Sequence, residues 1–180
     1  MPPHPLTSLP IHFGPFLVTP QVFHLTPLSY ALVNLKPLLP GHVLVCPRRV
    51  VPRFAALTPA EVTDLFFTAQ RVSRVIERMY GAHALNIAIQ DGKAAGQSVE
   101  HVHCHIIPRK EGDMEEKGGG DRLYEMMEGE EGDVGKELRK REEERGHRFA
   151  GPDAERKPRS EEEMRKEAEW LAEEMEKEVD

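Results

Sequence analysis

His101-Val102-His103-Cys104-His105-Ile106-Ile107-Pro108 decides the fold of this chain, because three histidines stand at every second position of an apolar run, Val99 to Ile107. Successive side chains of a strand alternate between its two faces. An extended conformation therefore predicts the three imidazoles on one surface, with Val102, Cys104 and Ile106 facing the core. Neutral imidazole can act as nucleophile, base or acid near pH 7, so the pattern indicates a reactive surface.

Three interpretations of the histidines are open. Zinc is the first, since His-x-His pairs on strands bind it, but strand residues rise about 3.3 Å each, so the His101 and His105 backbones lie about 13 Å apart. Zinc needs ligand nitrogens at about 2.0–2.1 Å, which leaves a pair completed by His42 as the metal alternative. Satisfied structural histidines are the second interpretation. Catalysis on a phosphate anion is the third, and it requires an anion-binding backbone nearby.

A loop of small residues precedes the histidines and reads Asp91-Gly92-Lys93-Ala94-Ala95-Gly96-Gln97-Ser98. Glycines let a backbone turn tightly and approach a ligand, and successive free N–H groups form an anion-binding concavity. Such a loop is often a plain connection between strands. Because it leads into three histidines, we interpret it as a phosphate site.

Composition limits the class of protein. The 180 residues carry a net charge of −7, but residues 1–110 hold ten Lys/Arg against five Asp/Glu, whereas residues 111–180 hold 14 against 26. A mildly basic half suits a polyanionic small molecule. The sequence has no cluster of Lys/Arg interleaved with aromatic residues, so it does not indicate binding to nucleic acid. Cys46 and Cys104 form no CxxC pair and read as buried, reduced thiols of a cytosolic or nuclear protein. We expect no signal peptide or membrane span.

The pattern of elements predicts an α+β fold with a five-stranded antiparallel sheet. A Thr58-Pro59-Ala60-Glu61 capping box begins a helix over about 58–80, which Gly81 ends. Its apolar stripe includes Phe66. The predicted strands are Ile11–Val18, Leu28–Asn34, Gly41–Cys46, Ala84–Gln90 and Val99–Ile107.

Four segments follow from this pattern. The Pro-rich residues 1–10 are expected to be disordered, and 11–112 to form the catalytic domain. Residues 113–158 are charged and glycine-dotted, so we predict a largely disordered insertion with one apolar island at Leu123–Met127. Residues 159–180 begin with a second capping box at Ser160 and predict a helix over about 160–177 that packs on the domain.

The chain resembles the histidine triad family, whose signature alternates histidine with apolar residues as residues 101–107 do. Its flanking segments are similar to the fragile-histidine-triad branch of diadenosine triphosphate hydrolases. They are Leu28–Asn34, Pro40–Pro47, Gln90–Gly92, Ala95–Gln97, Pro108–Lys110 and Ser160–Met164. The resemblance implies the histidine triad fold and a homodimer with one continuous sheet. It also implies hydrolysis of diadenosine triphosphate to AMP and ADP through a nucleotidyl-histidine.

The resemblance also implies roles for individual residues. His103 would be the nucleophile, His105 would bind the attacked phosphate and the bridging oxygen, and His101 and His42 would support them. Gln97 would assist the leaving group. The implied substrate contacts are Asn34 on the ribose, Gln90 on the phosphate chain, and Gly96, Gln97, Ser98, Val99, His105 and His42 around the phosphate. Phe16 stands near a position where the branch commonly has a substrate-contacting histidine, and Tyr124 lies in a context similar to a regulatory tyrosine of the branch.

Other activities stay open at this stage. One keeps the fold but takes nucleoside phosphoramidates or another nucleotidyl conjugate, and another is a signalling protein that binds the dinucleotide. We expect no resident metal and no tightly bound cofactor; Mg²⁺ or Mn²⁺ would accompany the polyphosphate. We expect neither nucleic acid nor membrane as a partner, and a cytoplasmic or nuclear location.

Overall fold

The computed structural model describes residues 5–129, 133–146 and 158–178. These residues form an α+β fold with a five-stranded antiparallel sheet, a separate two-stranded hairpin and four α-helices. The strands are β1 His12–Phe13, β2 Phe16–Leu17, β3 Val22–Leu25, β4 Ser29–Val33, β5 Val43–Pro47, β6 Ala84–Ile89 and β7 Cys104–Arg109. The helices are α1 Pro59–Tyr80, α2 Arg122–Glu128, α3 Val134–Gly146 and α4 Glu161–Lys177.

The sheet has the order β3-β4-β5-β7-β6, and every neighbouring pair is antiparallel. The predicted fold class is therefore confirmed. β7 lies between β5 and β6, with Leu44 opposite His105 on one side and Ala88 opposite His105 on the other. Because β7 is an inner strand, the segment that precedes it is held against the middle of the sheet.

The predicted strand over Ile11–Val18 is wrong. Gly14 has a φ of +56°, which turns the chain back on itself, so that β1 and β2 form a hairpin outside the main sheet. The fifth strand of the sheet is β3, which the sequence pattern did not indicate. Its burial does not alternate, since Val22 and Phe23 are both buried, and its pairing with β4 is interrupted by a shift in register.

Both capping boxes are present. The Thr58 hydroxyl accepts a hydrogen bond from Glu61 N, and the Glu61 carboxylate accepts one from Thr58 N. Gly81 ends α1 in the left-handed conformation, with φ +57°. Ser160 and Glu163 make the same reciprocal pair at the start of α4. These local hydrogen bonds explain why the two helices could be predicted closely.

The core lies between the sheet and the two long helices. α1 packs on β4, β5 and β7, and α4 packs on β3 and on α1. Phe66, which we predicted on the apolar stripe of α1, is instead 45% exposed. The buried side of α1 also includes Thr68, Ser73 and Val75, so the buried face is rotated away from Phe66.

The prediction that 113–158 is largely disordered is wrong for the described part of that segment. Helix α2 buries Leu123, Met126 and Met127, and α3 buries Val134 and Leu138. The side chains of α2 form a second apolar cluster with Leu38, Leu39 and Ile107 of the preceding part of the chain and with Met114. A preformed apolar surface thus supplies the burial that the segment's own composition could not. Residues 130–132 and 147–157 lie outside the described residues.

The expected disorder of residues 1–10 and the division of the chain into four segments stay predictions. Residues 5–10 form no helix or strand, and residues 1–4 lie outside the described residues. The division into four segments is not tested further. Among the described residues, no helix combines the length and apolar character needed to span a membrane.

Candidate active site

The three histidines do not share one strand as predicted. Strand β7 begins at Cys104, so His101 and His103 belong to the segment that enters it. Two short backbone hydrogen bonds bend this segment: His101 N donates to Val99 O at 2.7 Å, and Val102 N donates to Val51 O at 2.7 Å. The imidazoles are nevertheless buried close together, with 0%, 3% and 5% of His101, His103 and His105 exposed.

His103 is held in one tautomer. Its Nδ1–H donates to the backbone carbonyl of His101 at 2.7 Å, because a carbonyl oxygen can only accept. The lone pair of a neutral ring is then on Nε2. The ring centroid lies 4.9 Å from that of His105, and the Phe13 ring meets it edge-on at 5.1 Å. His103 is therefore a fixed imidazole with an unprotonated Nε2.

His101 ties the N-terminal hairpin to the sheet. Gly14 N donates to its Nδ1 at 3.0 Å, so its proton is on Nε2, which donates to Pro47 O at 2.8 Å. A Cβ on Gly14 would lie 2.7 Å from Val99 Cγ1, which explains why glycine is required there. Both nitrogens of His101 are occupied, and the ring acts here as a structural link beneath His103.

His42 and His105 form a directed pair. Leu38 N donates to His42 Nδ1 at 3.1 Å, which places the His42 proton on Nε2. That proton points to His105 Nδ1 at 2.9 Å, so His105 carries its own proton on Nε2. His105 Nε2 is buried with no hydrogen-bond partner among the described residues. The chain of bonds therefore presents an unsatisfied N–H donor beside His103.

Burial keeps the three rings uncharged. It lowers the pKa of His101 to about 4 and the pKa of His103 below its ordinary value. Burial also lowers the pKa of His105 well below 6.5, and the neighbouring His103 and His42 lower it further. Desolvation disfavours the imidazolium form. At neutral pH the site thus offers a lone pair on His103 and a neutral N–H donor on His105.

The glycine loop folds as a short 3₁₀ helix, Lys93–Ala95, between two glycines with positive φ. Gly96 has a φ of +86°, and a Cβ there would lie 2.4 Å from Gln90 Nε2. Gln97 braces the loop, since its Oε1 accepts from Gly92 N at 2.9 Å and its Nε2 donates to Pro52 O at 2.9 Å. The loop is therefore a stiff turn in which Gln97 bonds backbone groups.

A cleft of about 790 Å³ opens beside this loop. Helix α3 forms one wall of it. The lining includes Phe16 from the hairpin, Arg53, the loop residues Gly92, Lys93, Gln97, Ser98 and Val99, and the α3 residues Arg139 and Glu142. A Cβ on Gly135 of α3 would lie only 2.3 Å from Ser98 O, so α3 rests directly on the loop. The part of 113–158 that we expected to be disordered covers the candidate phosphate site.

The predicted residues fall into two groups. His103, His105, His42 and Asn34 are buried together, and Asn34 Nδ2 lies 3.3 Å from His42 Nε2. Gly96, Gln97 and Ser98 line a smaller pocket with Met127 and Glu128. Gln90 faces the same segment, because its Nε2 donates to Met127 O at 3.3 Å.

Sequence reasoning missed Phe13, Gly14 and the Leu38 amide. The Phe13-Gly14 pair was the available signal for a turn, whereas the Leu38 amide is a backbone group with no side-chain signature. Phe16 is buried and lines the cleft. Tyr124 is 54% exposed, and its hydroxyl accepts a hydrogen bond from Asn86.

No group of three or more His, Cys, Asp or Glu residues in the described part of the chain is arranged to hold a metal ion. The hydrogen-bond directions explain why the histidines do not form such a group. His103 Nδ1 is committed to a carbonyl, and His42 and His105 direct nitrogens at each other.

The sequence was compared with family models and with known proteins. The family model described as "HIT domain" matches residues 18–112. The chain is 51% identical over 185 residues to a Schizosaccharomyces pombe protein named bis(5'-nucleosyl)-tetraphosphatase [asymmetrical], covering 93% of this chain and 98% of that protein. It is 53% identical over 127 residues to the Arabidopsis thaliana bifunctional bis(5'-adenosyl)-triphosphatase/adenylylsulfatase FHIT, covering 70% of this chain and 69% of that protein.

Among solved structures, the Plasmodium falciparum diadenosine triphosphate hydrolase in complex with cyclomarin A superposes with a TM-score of 0.69 at 27% identity. The match covers 97% of this chain and 89% of that one.

Proposed function

The chain belongs to the HIT domain family, and on that premise we propose that it hydrolyses diadenosine triphosphate to AMP and ADP through a nucleotide bound covalently to His103. The name of the Arabidopsis relative, a bis(5'-adenosyl)-triphosphatase, supports the reaction. The observation that carries the mechanism is the tautomer of His103, whose Nδ1–H is held by His101 O and whose Nε2 is therefore free to attack phosphorus.

The reaction has two balanced steps. His103 Nε2 attacks the phosphorus next to one adenosine; the N–P bond forms, the P–O bond to the bridging oxygen breaks, and ADP leaves. Water then attacks the same phosphorus, the N–P bond breaks, and AMP leaves with the oxygen of that water, whose proton passes to solvent while His103 returns to its neutral form. The imidazole becomes cationic while it carries the nucleotide, and its Nδ1–H bond to a carbonyl stabilises that charge.

His105 supplies the charge stabilisation in this scheme. Its Nε2–H is the unsatisfied donor beside His103, and a phosphate or bridging oxygen would complete its hydrogen bonding. A donor that is already oriented needs no reorganisation as charge develops, which is the main way a protein accelerates phosphoryl transfer. The glycine loop would hold the remaining phosphates through its N–H groups. Gln97 would assist the leaving group by exchanging its hydrogen bonds to Gly92 N and Pro52 O for bonds to the substrate.

A second candidate is asymmetrical cleavage of the tetraphosphate to AMP and ATP. The relative that matches nearly the full length of the chain is named for a tetraphosphatase activity. The Arabidopsis relative, named also as an adenylylsulfatase, favours the wider class of nucleotidyl conjugates. All of these substrates share an adenylyl group and a leaving anion, so His103 would perform the same first step on each.

The test is an assay of purified protein with diadenosine triphosphate, followed by separation of the nucleotides. We expect AMP and ADP in equal amounts, and ATP in place of ADP with the tetraphosphate. His103→Asn and His103→Ala should each lose about 10³-fold or more of kcat, and His103→Asn should still bind substrate. His83→Asn, at an exposed histidine before β6, is the matched control. Unchanged turnover in either His103 variant contradicts the mechanism.

A homodimer is part of the proposal. Strand β6 is an edge of the sheet, and unpaired edges attract further strands. Beside it a groove of about 400 Å³ is lined mainly by apolar side chains, among them Phe54, Phe66, Ile87 and Ile89. Ile87 is 52% exposed. A second copy pairing β6 with β6 would cover these groups and continue the sheet, as the resemblance implies.

Two further expectations belong to the same proposal. Any Mg²⁺ or Mn²⁺ would bind through the phosphates of the substrate, since no tightly bound cofactor is needed for the steps above. A cytoplasmic or nuclear location agrees with Cys46 and Cys104, which are free and buried thiols.

A further inference from the structure

Arg159, the residue before the N-cap of α4, is hydrogen-bonded to the start of the loop that follows strand β4. Its Nε donates to Asn34 O at 3.1 Å, and its Nη2 donates to the same oxygen at 2.5 Å. Its backbone N–H donates to Leu35 O at 3.2 Å. Two successive carbonyl groups of the loop that follows β4 are therefore fixed by one residue, which is 125 positions away from Asn34 in the sequence.

Glu167 of α4 connects Arg159 to Tyr80, which contacts the other end of the same loop. One carboxylate oxygen accepts from Arg159 Nη1, and the other accepts from the Tyr80 hydroxyl at 2.5 Å. The Tyr80 ring presses on Gly41, where a Cβ would lie 2.6 Å from Tyr80 Cδ2. The loop between β4 and β5 is thus held at Asn34 and at the residue before His42.

The orientation of the Asn34 side chain depends on the backbone of this loop. Its Oδ1 accepts from Lys36 N at 2.9 Å, which identifies the other end of the amide as Nδ2. Nδ2 lies 3.3 Å from His42 Nε2, but that nitrogen already carries a proton because Leu38 N donates to His42 Nδ1. The amide hydrogens of Asn34 are therefore left for an acceptor such as a ribose hydroxyl. Asn34 is only 1% exposed, so packing restricts its side chain. The position of its amide donor therefore depends on the orientation of its backbone peptide.

We propose that Arg159 is a positioning residue that orients Asn34 to recognise the ribose hydroxyls of the bound nucleotide. The inference rests on the nucleotide site of the proposed function. A guanidinium offers several N–H donors in a fixed fork, and here the fork closes on one carbonyl and one carboxylate. The C-terminal segment would thus set sugar selectivity without touching the substrate.

The experiment measures binding rather than turnover. Affinities for AMP and for 2′,3′-dideoxy-AMP are determined by calorimetry for the unmodified protein and for Arg159→Met, Arg159→Lys, Asn34→Ala and the double variant Arg159→Met with Asn34→Ala. Arg165→Met is the matched control, because Arg165 lies on α4 and pairs with Glu162 and Glu169 at its surface. Thermal unfolding of each variant identifies loss of folded protein.

We expect the unmodified protein to prefer AMP by about tenfold, as one or two hydrogen bonds supply. Arg159→Met should reduce that preference to about two- or threefold, Arg159→Lys should restore part of it, and Arg165→Met should leave it unchanged. Asn34→Ala should lack the preference, and adding Arg159→Met should change the ratio no further.

Three results overturn the inference: no preference in the unmodified protein, an unchanged ratio in Arg159→Met, or an equal loss of affinity for both nucleotides, as a purely structural role gives. Hydrolysis is a separate readout. If the expected ratios appear in a protein that does not cleave the dinucleotide, the hydrolase proposal fails and the role of Arg159 stands.

Discussion

His42 Nε2 lies 2.9 Å from His105 Nδ1, and the direction of this hydrogen bond is set outside the histidines, by the Leu38 amide that donates to His42 Nδ1. One backbone N–H thereby decides that His105 carries its proton on Nε2, where the proposed mechanism requires a donor. Neutral imidazoles have two tautomers of similar energy, so a site that needs one of them must select it through such neighbours.

The first prediction removes this selection. His42→Ala should lower kcat about 10- to 100-fold, as losses of orienting partners do, with a smaller change in KM. His42→Gln should retain more activity, since its amide can still donate to His105 Nδ1. Steady-state kinetics with diadenosine triphosphate measures both. Equal kcat in His42→Ala and the unmodified protein would contradict the directed pair.

The second prediction concerns stability and pH. The pKa of His101 is about 4 in the folded protein because of burial, against about 6.5 in an unfolded chain. Between these values the unfolded state binds more protons, so stability falls as the pH falls from 6.5 to 4. The contribution of His101 to the free energy of unfolding should drop by about 3 kcal/mol between pH 7 and pH 4.

Urea unfolding across that range measures this loss. Burial lowers the pKa values of His103 and His105 in the same direction, so the total slope should be steeper than His101 alone gives. His101→Gln should flatten it. A variant with the same slope as the unmodified protein would exclude His101 as a source of acid sensitivity.

The third prediction uses two neighbouring phenylalanines of α1. Phe66 is 45% exposed and lines the groove beside β6, whereas Phe67 is 69% exposed and faces another surface with His24 and Asp64. Phe66→Glu should convert the proposed dimer to a monomer, because it would place a charge in the proposed apolar contact. Phe67→Glu should leave the dimer intact. Light scattering after size exclusion measures the mass, and dissociation by both variants, or by neither, would locate the contact elsewhere.

The fourth prediction tests how α3 rests on the glycine loop. Gly135→Ala would bring a Cβ to 2.3 Å from Ser98 O, a backbone atom that cannot rotate aside. Overpacking of this kind typically costs about 1–3 kcal/mol, so the α3 amides should exchange hydrogen about tenfold faster or more. Gly120→Ala, at a position with open space around it, is the control. Unchanged exchange in Gly135→Ala would mean that α3 does not dock on Ser98.

The parts of the fold that could be predicted depend on local chemistry. Each capping box supplies hydrogen-bond partners to backbone N–H groups at a helix N-terminus from within four residues. The starts of α1 and α4 could therefore be predicted from Thr58 and Ser160. The short segments rich in apolar residues at β4 and β5, both buried throughout, indicate the middle of the sheet. Strand β3 was missed because its pairing depends on β4 and not on a pattern of its own. Helix α2 was missed because its burial depends on Leu38, Leu39 and Ile107, and α3 because Val134 and Leu138 pack into the main core; these partners are distant in the sequence.

The candidate site shows the same division. The spacing of the histidines predicted that imidazoles would meet beside a glycine loop. It could not predict that His101 and His103 lie before the strand, since a backbone bond from Val102 to Val51 bends the chain there. The tautomers were also beyond the sequence, because Gly14, Pro47 and Leu38 act through backbone atoms that any residue type would offer.

Covalent capture of the nucleotide is the central claim, and mapping the captured group tests it most directly. Protein mixed with diadenosine triphosphate is quenched within one turnover, digested without exposure to acid, and its peptides are sequenced by mass spectrometry. We predict one adenylyl group per active site, attached to His103 and absent from His103→Asn. An adenylyl group on another side chain, or full turnover with none trapped at any time, would contradict the account.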